Sequence, residues 1–196
     1  MRTSWAMAVG AALGLGVGAG TVWADVVDGR TAQRLVFDPA EVAITLVRHD
    51  FLSAKDLKAL ELVARQQKYY GAIAVAPSEG LLSEATVAAA NYHDVDAAGV
   101  AALAACDSAR KGGVACVIVA EIRPTGWEPR QIALSADATE ALGKTYRRAK
   151  APKALAVSPA TGIWAVADGV AAESDAVADC ARQSGSGDCR VVVADR

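Results

Sequence analysis

Ala72–Gly80 reads AIAVAPSEG and Ala154–Gly162 reads ALAVSPATG, the same signal written 82 positions apart. Each is a short apolar run ended by a proline, which lacks a backbone donor, and a glycine, which accepts positive φ; together they read as a strand followed by a turn. Extended outward without gaps, Leu52–Gly80 lies over Leu134–Gly162 with 12 of 29 positions identical. The match resumes where AAGVAALAAC (Ala97–Cys106) aligns with AAESDAVADC (Ala171–Cys180), and CVIV (Cys116–Val119) with CRVV (Cys189–Val192). The chain therefore reads as one unit copied in tandem.

Within each copy the local signals have a fixed order. Ser53, with Asp56 three residues on, approximates a capping box, and Leu57, Leu60 and Ala64 recur at helical spacing; the second copy begins its helix at Ser135. After the strand and turn comes a return strand, TVAAAN or IWAVADG, then an alanine-rich helix and a β-branched strand opening on a cysteine. With Val42–Arg48 or Arg130–Leu134 as the strand before the capped helix, each copy reads β-α-β-β-α-β. The expected fold is α+β: two tandem split βαβ, ferredoxin-like units packed about a pseudo-two-fold axis. A single sheet shared by both copies is the runner-up, because units this small are marginal alone. The expected divisions are 1–24 as a leader, 25–41 as an extension holding a further strand QRLVF, 42–122 as the first copy and 123–196 as the second. RPTGWE (Arg123–Glu128) reads as the connector.

Four cysteines allow three pairings. Only Cys106–Cys116 with Cys180–Cys189 gives both copies the same local bridge, closing a helix-to-strand turn each time. Such bridges persist in oxidising compartments, and the first 24 residues agree. One arginine precedes an apolar run that ends with Val22 and Ala24 at the positions small residues occupy before signal cleavage, so Asp25 would begin the exported chain. The competing reading keeps this segment as an inner-membrane anchor. Its uncharged stretch is close to the ~20 residues a spanning helix needs, Trp5 and Trp23 suit two interfacial belts, and Gly10, Gly14 and Gly18 follow small-xxx-small spacing.

The repeated pattern, a strand with its SPxTG-like turn, a return strand, an Ala-rich helix ending in Cys and a CRVVV strand, resembles bacterial secreted proteins of the domain of unknown function 4189 family. The resemblance runs through both copies from about Tyr70 onward. It implies an exported, duplicated α+β domain and brings no catalytic residues with it.

A formal net charge of -2 gives no global reason to bind nucleic acid. Neither copy carries a GxSxG elbow, an HExxH helix or a phosphate loop, and no cofactor is expected. Only two histidines are present, and both precede aspartate: His49–Asp50 and His93–Asp94, the latter within NYHDVD. A hydrolase or metal role around His93 is conceivable. The structural alternative makes Asp94 or Asp96 the cap of the next helix. The basic run Lys144, Arg147, Arg148, Lys150 and Lys153 could meet an anionic surface, or it could complement the end of a helix. Trp127 and Trp164 could stack on a ligand or fill part of the core. The expected function is a non-catalytic periplasmic or secreted module that binds an unidentified protein or small ligand through Trp127, Trp164, Arg147, Arg148 or His93. An accessory subunit tethered to a membrane complex is the alternative.

Overall fold

The computed structural model describes residues 26–196; the expected leader or anchor, and its cleavage point, lie outside them. In chain order the elements are α1 (Gly29–Leu35), β1 (Val42–Leu46), α2 (Ala54–Ala64), β2 (Gly71–Val75), β3 (Val87–Ala89), α3 (Val95–Ala109) and β4 (Val117–Pro124). The second half holds α4 (Ala136–Ala141), which runs on into a π-helical turn (Leu142–Tyr146), then β5 (Lys153–Val157), β6 (Trp164–Asp168), α5 (Ala172–Ser184) and β7 (Arg190–Asp195).

Two antiparallel sheets form, ordered β1-β4-β2-β3 and β6-β5-β7. In the first, β1 and β2 run parallel with β4 between them, and β3 and β4 run parallel with β2 between them. Each such parallel pair is joined by a helix and split by the strand between. A helix nevertheless covers each face, in place of the ferredoxin-like arrangement with both helices on one face. The reason is written in the strand itself. Along β2, Ala72 and Ala74 pack with Ala98, Ala102 and Cys106 of α3, while Ile73 and Val75 meet Leu60 and Ala64 of α2. Side chains alternate across a strand, so small residues admit one helix closely and large ones fill the space beneath the other. β5 repeats the device: Ala154 and Ala156 face Ala172, Ala176 and Cys180 of α5, and Leu155 and Val157 face Ala138, Leu142 and Tyr146.

Local signals hold. Ser53 and Asp56 close a reciprocal capping box on α2, Ser135 accepts from Ala138 N–H to start α4, and Asp94 accepts from Ala97 N–H to start α3. Cys106–Cys116 ties the end of α3 to the mouth of β4, and Cys180–Cys189 ties α5 to β7. Loops of this size contribute about 2–3 kcal/mol each by the chain-entropy argument.

Three expectations are corrected. The chain does not share one sheet between its halves. Arg130–Leu134 is not a strand; Ile132 and Leu134 are buried in irregular backbone, so the second sheet has three strands. The outer edge of β7 is held instead by Val27, bridged in parallel to Val193, with Val27 N–H donating to Val192 O at 3.1 Å and Ala194 N–H to Val27 O at 2.9 Å. Nor is QRLVF a strand: Asp28 accepts from Thr31 N–H and Thr31 Oγ1–H, and this cap turns Gly29–Leu35 into a helix. Residues 26–36 thus complete the second half.

Candidate functional site at the seam between the halves

The two halves meet around the segment that leads from β3 into α3. Asn91 takes a positive φ of 65° there, and its amide brackets Asp137: Nδ2 donates to Asp137 Oδ2 at 2.9 Å, and Asp137 N–H donates to Asn91 Oδ1 at 3.1 Å. Lys68 pairs with the same carboxylate, and Tyr69 Oη donates to Thr139 Oγ1 at 3.1 Å. Gly162, at the end of the second turn motif, presses on Asn91 so closely that an added Cβ would lie 2.4 Å from Asn91 O.

His93 is the pivot. It is 3% exposed; Ser135 N–H donates to its Nδ1 at 2.9 Å and its Nε2 stands 3.1 Å from Ile163 O. Since Nδ1 accepts, Nε2 carries the proton and donates. Burial pushes the imidazole pKa down to about 4, so the ring is neutral near pH 7. Both nitrogens are thereby committed to backbone partners from the other half, which leaves no lone pair for a metal and no free base for a substrate. His49 sits apart, with Nε2 2.9 Å from Ile118 O and its ring stacked on Phe51. Among the described residues no three His, Cys, Asp or Glu side chains group as metal ligands.

Beside His93 the connector roofs a groove. A cavity of about 170 Å³ is lined by Tyr70, Asp94, Asp96, Arg123, Trp127 and Arg130. A smaller one, about 80 Å³, shares Asp94, Ile132 and Ala133 with it and continues to His93 and Arg190. Trp127, 42% exposed, lies over the Arg123 guanidinium at 5.1 Å, and Arg130 stacks on Phe37 at 3.7 Å while donating to Leu35 O. Arg123 Nε is buried without a hydrogen-bond partner among the described residues. Burial pushes the Tyr70 phenol up to about 12, with the adjacent Tyr69 adding to the shift, so it stays a hydrogen-bonding hydroxyl across the neutral range. An aromatic face, a phenol, carboxylates and a guanidinium around one small cavity are recognition groups.

Of the residues expected to carry function, Trp127 lines the larger cavity and His93 the smaller one beside it. Trp164 opens β6 and packs against the cluster that holds Leu142, Tyr146, Leu155 and Val157, and Arg147 and Arg148 are exposed beyond the π turn, outside the cavity lining. Tyr70, Arg123 and Arg130 were not singled out by sequence. The signal that could have found them is the aromatic flanked by arginines in RPTGWEPR. No family model, no curated protein and no solved structure matches the chain, so this seam geometry stands on its own as the description of the site.

Proposed function

We propose that the chain is an exported, disulfide-braced binding module that takes a small ligand in the connector-roofed groove between its halves without turning it over. The observation that carries this is the groove: a cavity with the stacked pair Trp127 and Arg123 in its lining, near a histidine whose nitrogens are already used. Two formed disulfides support an oxidising compartment.

Tandem duplication is part of the same reading. It is supported by the matching strand orders β4-β2-β3 and β7-β5-β6 and by a register break at Ile73/Ala74 and again at Leu155/Ala156. The repeated helix-to-strand bridges add to it, and the resemblance to the domain of unknown function 4189 family is proposed on this pattern. A cavity with carboxylates and a guanidinium suits a zwitterion such as an amino acid or dipeptide. The test is Trp emission during titration with a panel of amino acids and dipeptides, with mass spectrometry of the ligand afterwards. Saturable quenching lost in Trp127→Ala and Arg123→Ala, with the ligand unchanged, is expected. Ligand consumed, or quenching indifferent to both variants, would sink the reading.

The second reading, a membrane-tethered accessory protein, draws on one observation. The chain enters the fold at Val27, three residues after Ala24, so a retained leader would hold the second half against the bilayer. Among the described residues no helix is long and apolar enough to cross a membrane. Intact mass from washed membranes and from soluble periplasm separates the two: a chain beginning at Met1 in the membranes supports tethering, and a soluble chain beginning at Asp25 removes it.

A further inference from the structure

We infer that the outer face of the second half, formed by α1 with α4 and its π turn, is a docking surface for an anionic lipid bilayer. This goes beyond the groove and does not depend on it.

The argument begins with the basic run. Within it Lys144 pairs with Glu140, and Lys153 donates to Tyr146 O at 3.0 Å and Ala149 O at 3.1 Å, satisfying the end of the helix. Lys153 therefore already fills the helix-capping role. Arg147, Arg148 and Lys150 remain exposed, and among the described residues their side chains have no hydrogen bond or ion pair.

The fold then gathers more cations beside them, which the sequence keeps more than a hundred positions away. α1 lies in the same layer as α4 and the π turn. Ala32 shares a buried cluster with Ala138, Leu142 and Tyr146, and Gly29 approaches the Tyr146 ring so closely that a Cβ would lie 2.6 Å from it. With those residues turned inward, Arg30 and Arg34 are left exposed on the same layer, and Arg196 joins them around one open polar depression.

The carboxylates near this layer are Asp28, which accepts from Thr31, Asp195, which accepts from Gly29 N–H and faces Lys153 at 3.7 Å, Asp137, paired with Lys68, Glu140, paired with Lys144, and Asp168, which accepts from Lys150 N–H. With Lys68, Lys144 and Lys153 set against Asp137, Glu140 and Asp195, the exposed Arg30, Arg34, Arg147, Arg148 and Lys150 outnumber Asp28 and Asp168, on a chain whose formal net charge is -2. The chain also enters the fold here, at Val27, directly after the apolar leader. Whether the leader has been cleaved or retained, the face nearest its exit carries the positive charge that anionic headgroups attract.

The test is co-sedimentation of the chain beginning at Asp25, which contains every described element, with vesicles. One set is phosphatidylcholine alone and the other contains phosphatidylglycerol. Retention on the anionic vesicles at low salt, and release as the Debye length falls below about 10 Å, is expected. Each neutralised cation should weaken partition about fivefold, the equivalent of about 1 kcal/mol per basic side chain at such a surface. The Arg147→Gln/Arg148→Gln and Arg30→Gln/Arg34→Gln pairs should therefore each lose roughly twenty-five-fold. Lys55→Gln/Lys58→Gln on α2 changes net charge equally and should lose nothing comparable. Far-UV circular dichroism and disulfide content check that each variant is folded. Equal binding to both vesicles, or equal loss in the α2 control, would overturn the proposal. So would displacement by inorganic phosphate beyond that of chloride at matched ionic strength, which would indicate a discrete anion site.

Discussion

Replacing His93 by Gln should remove the acid sensitivity of this fold in one defined window. The unfolded imidazole titrates near 6.5, and burial across the seam pushes the folded one down to about 4. Between those values the unfolded state binds more protons than the folded state, so stability falls as pH falls. The contribution is complete above about 6.5 and is lost progressively toward about 4; the difference is roughly 3 kcal/mol at one unit per ~1.4 kcal/mol. Asp28, Asp56, Asp107 and Glu79, and Asp188 in spite of its partial burial, are held below the usual carboxylate range by hydrogen bonds and begin to lose their contributions only below about pH 5. The slope above about pH 5 therefore belongs to His93. In His93→Gln the side-chain amide can still donate toward Ile163 O, but the buried Ser135 N–H loses its acceptor, which costs about 1–3 kcal/mol near neutrality. Urea unfolding of both proteins from about pH 7 to about pH 5 is the assay, with ΔG taken from the midpoint and m-value. The parent should slope steeply and the variant should lie lower and nearly flat. A variant that keeps the parent's slope would refute the assignment of the seam to a neutral, doubly bonded imidazole.

Cys106→Ser should liberate one alkylatable thiol, at Cys116, leave Cys180–Cys189 oxidised by intact mass, and lower stability by about 2–3 kcal/mol. Gly80→Ala and Gly162→Ala place the same methyl at positive φ, +78° and +74°, a cost of about 1–2 kcal/mol in each. Gly162→Ala should cost about 1–3 kcal/mol more, because its methyl would strike Asn91 O at 2.4 Å while Gly80 faces open space; equal urea midpoints for the two variants would count against the seam contact. Gly29→Ala should lower the thermal midpoint, since its Cβ would sit 2.6 Å from the Tyr146 ring and 2.9 Å from Asp195 Oδ2; an unchanged midpoint would mean that α1 does not pack there.

What could be read in the sequence was what is decided locally. The alternation in AIAV and ALAV, the caps at Ser53, Asp94 and Ser135, and two cysteine pairs at separations of 10 and 9 each depend on neighbours within a short stretch of chain. Arg130–Leu134 shows the limit. An alternating R-Q-I-A-L serves equally as a strand or as buried irregular backbone, and the choice depends on what occupies the edge of β7. Val27, more than a hundred residues earlier, takes that edge, and Arg130 instead donates to the carbonyls of Leu35 and Val36 at the end of α1. QRLVF failed for the opposite reason: a local cap at Asp28 outweighed β-branched and aromatic content. The seam was illegible because His93, Ser135 and Ile163 become neighbours only once both halves exist.

Under the proposed duplication, the residues common to both copies are largely consumed by the frame. The alanines of β2 and β5 admit the helices, the serines cap, and the cysteines bind one another. A residue committed in both copies to the same structural duty has little freedom to acquire another. His93, Trp127, Arg123 and Arg130 lie in one copy or in the connector; His93 bonds across the seam, and the other three line the cavity beside it. Tyr146 follows the same rule. It stands 82 positions after Ala64, where a methyl gives way to a ring that packs against Gly29, and Gly29 belongs to the α1 layer that carries the exposed arginines. A copied frame thus leaves new chemistry two places to accumulate: the seam where the copies differ in what they touch, and the layer that only one of them has recruited. Mutational scanning of binding should therefore find its sensitive positions at the connector groove and on α1 with the π turn. Sensitive positions spread evenly over both β2 and β5 would mean that the copies act alike, and that the frame itself is the binding surface.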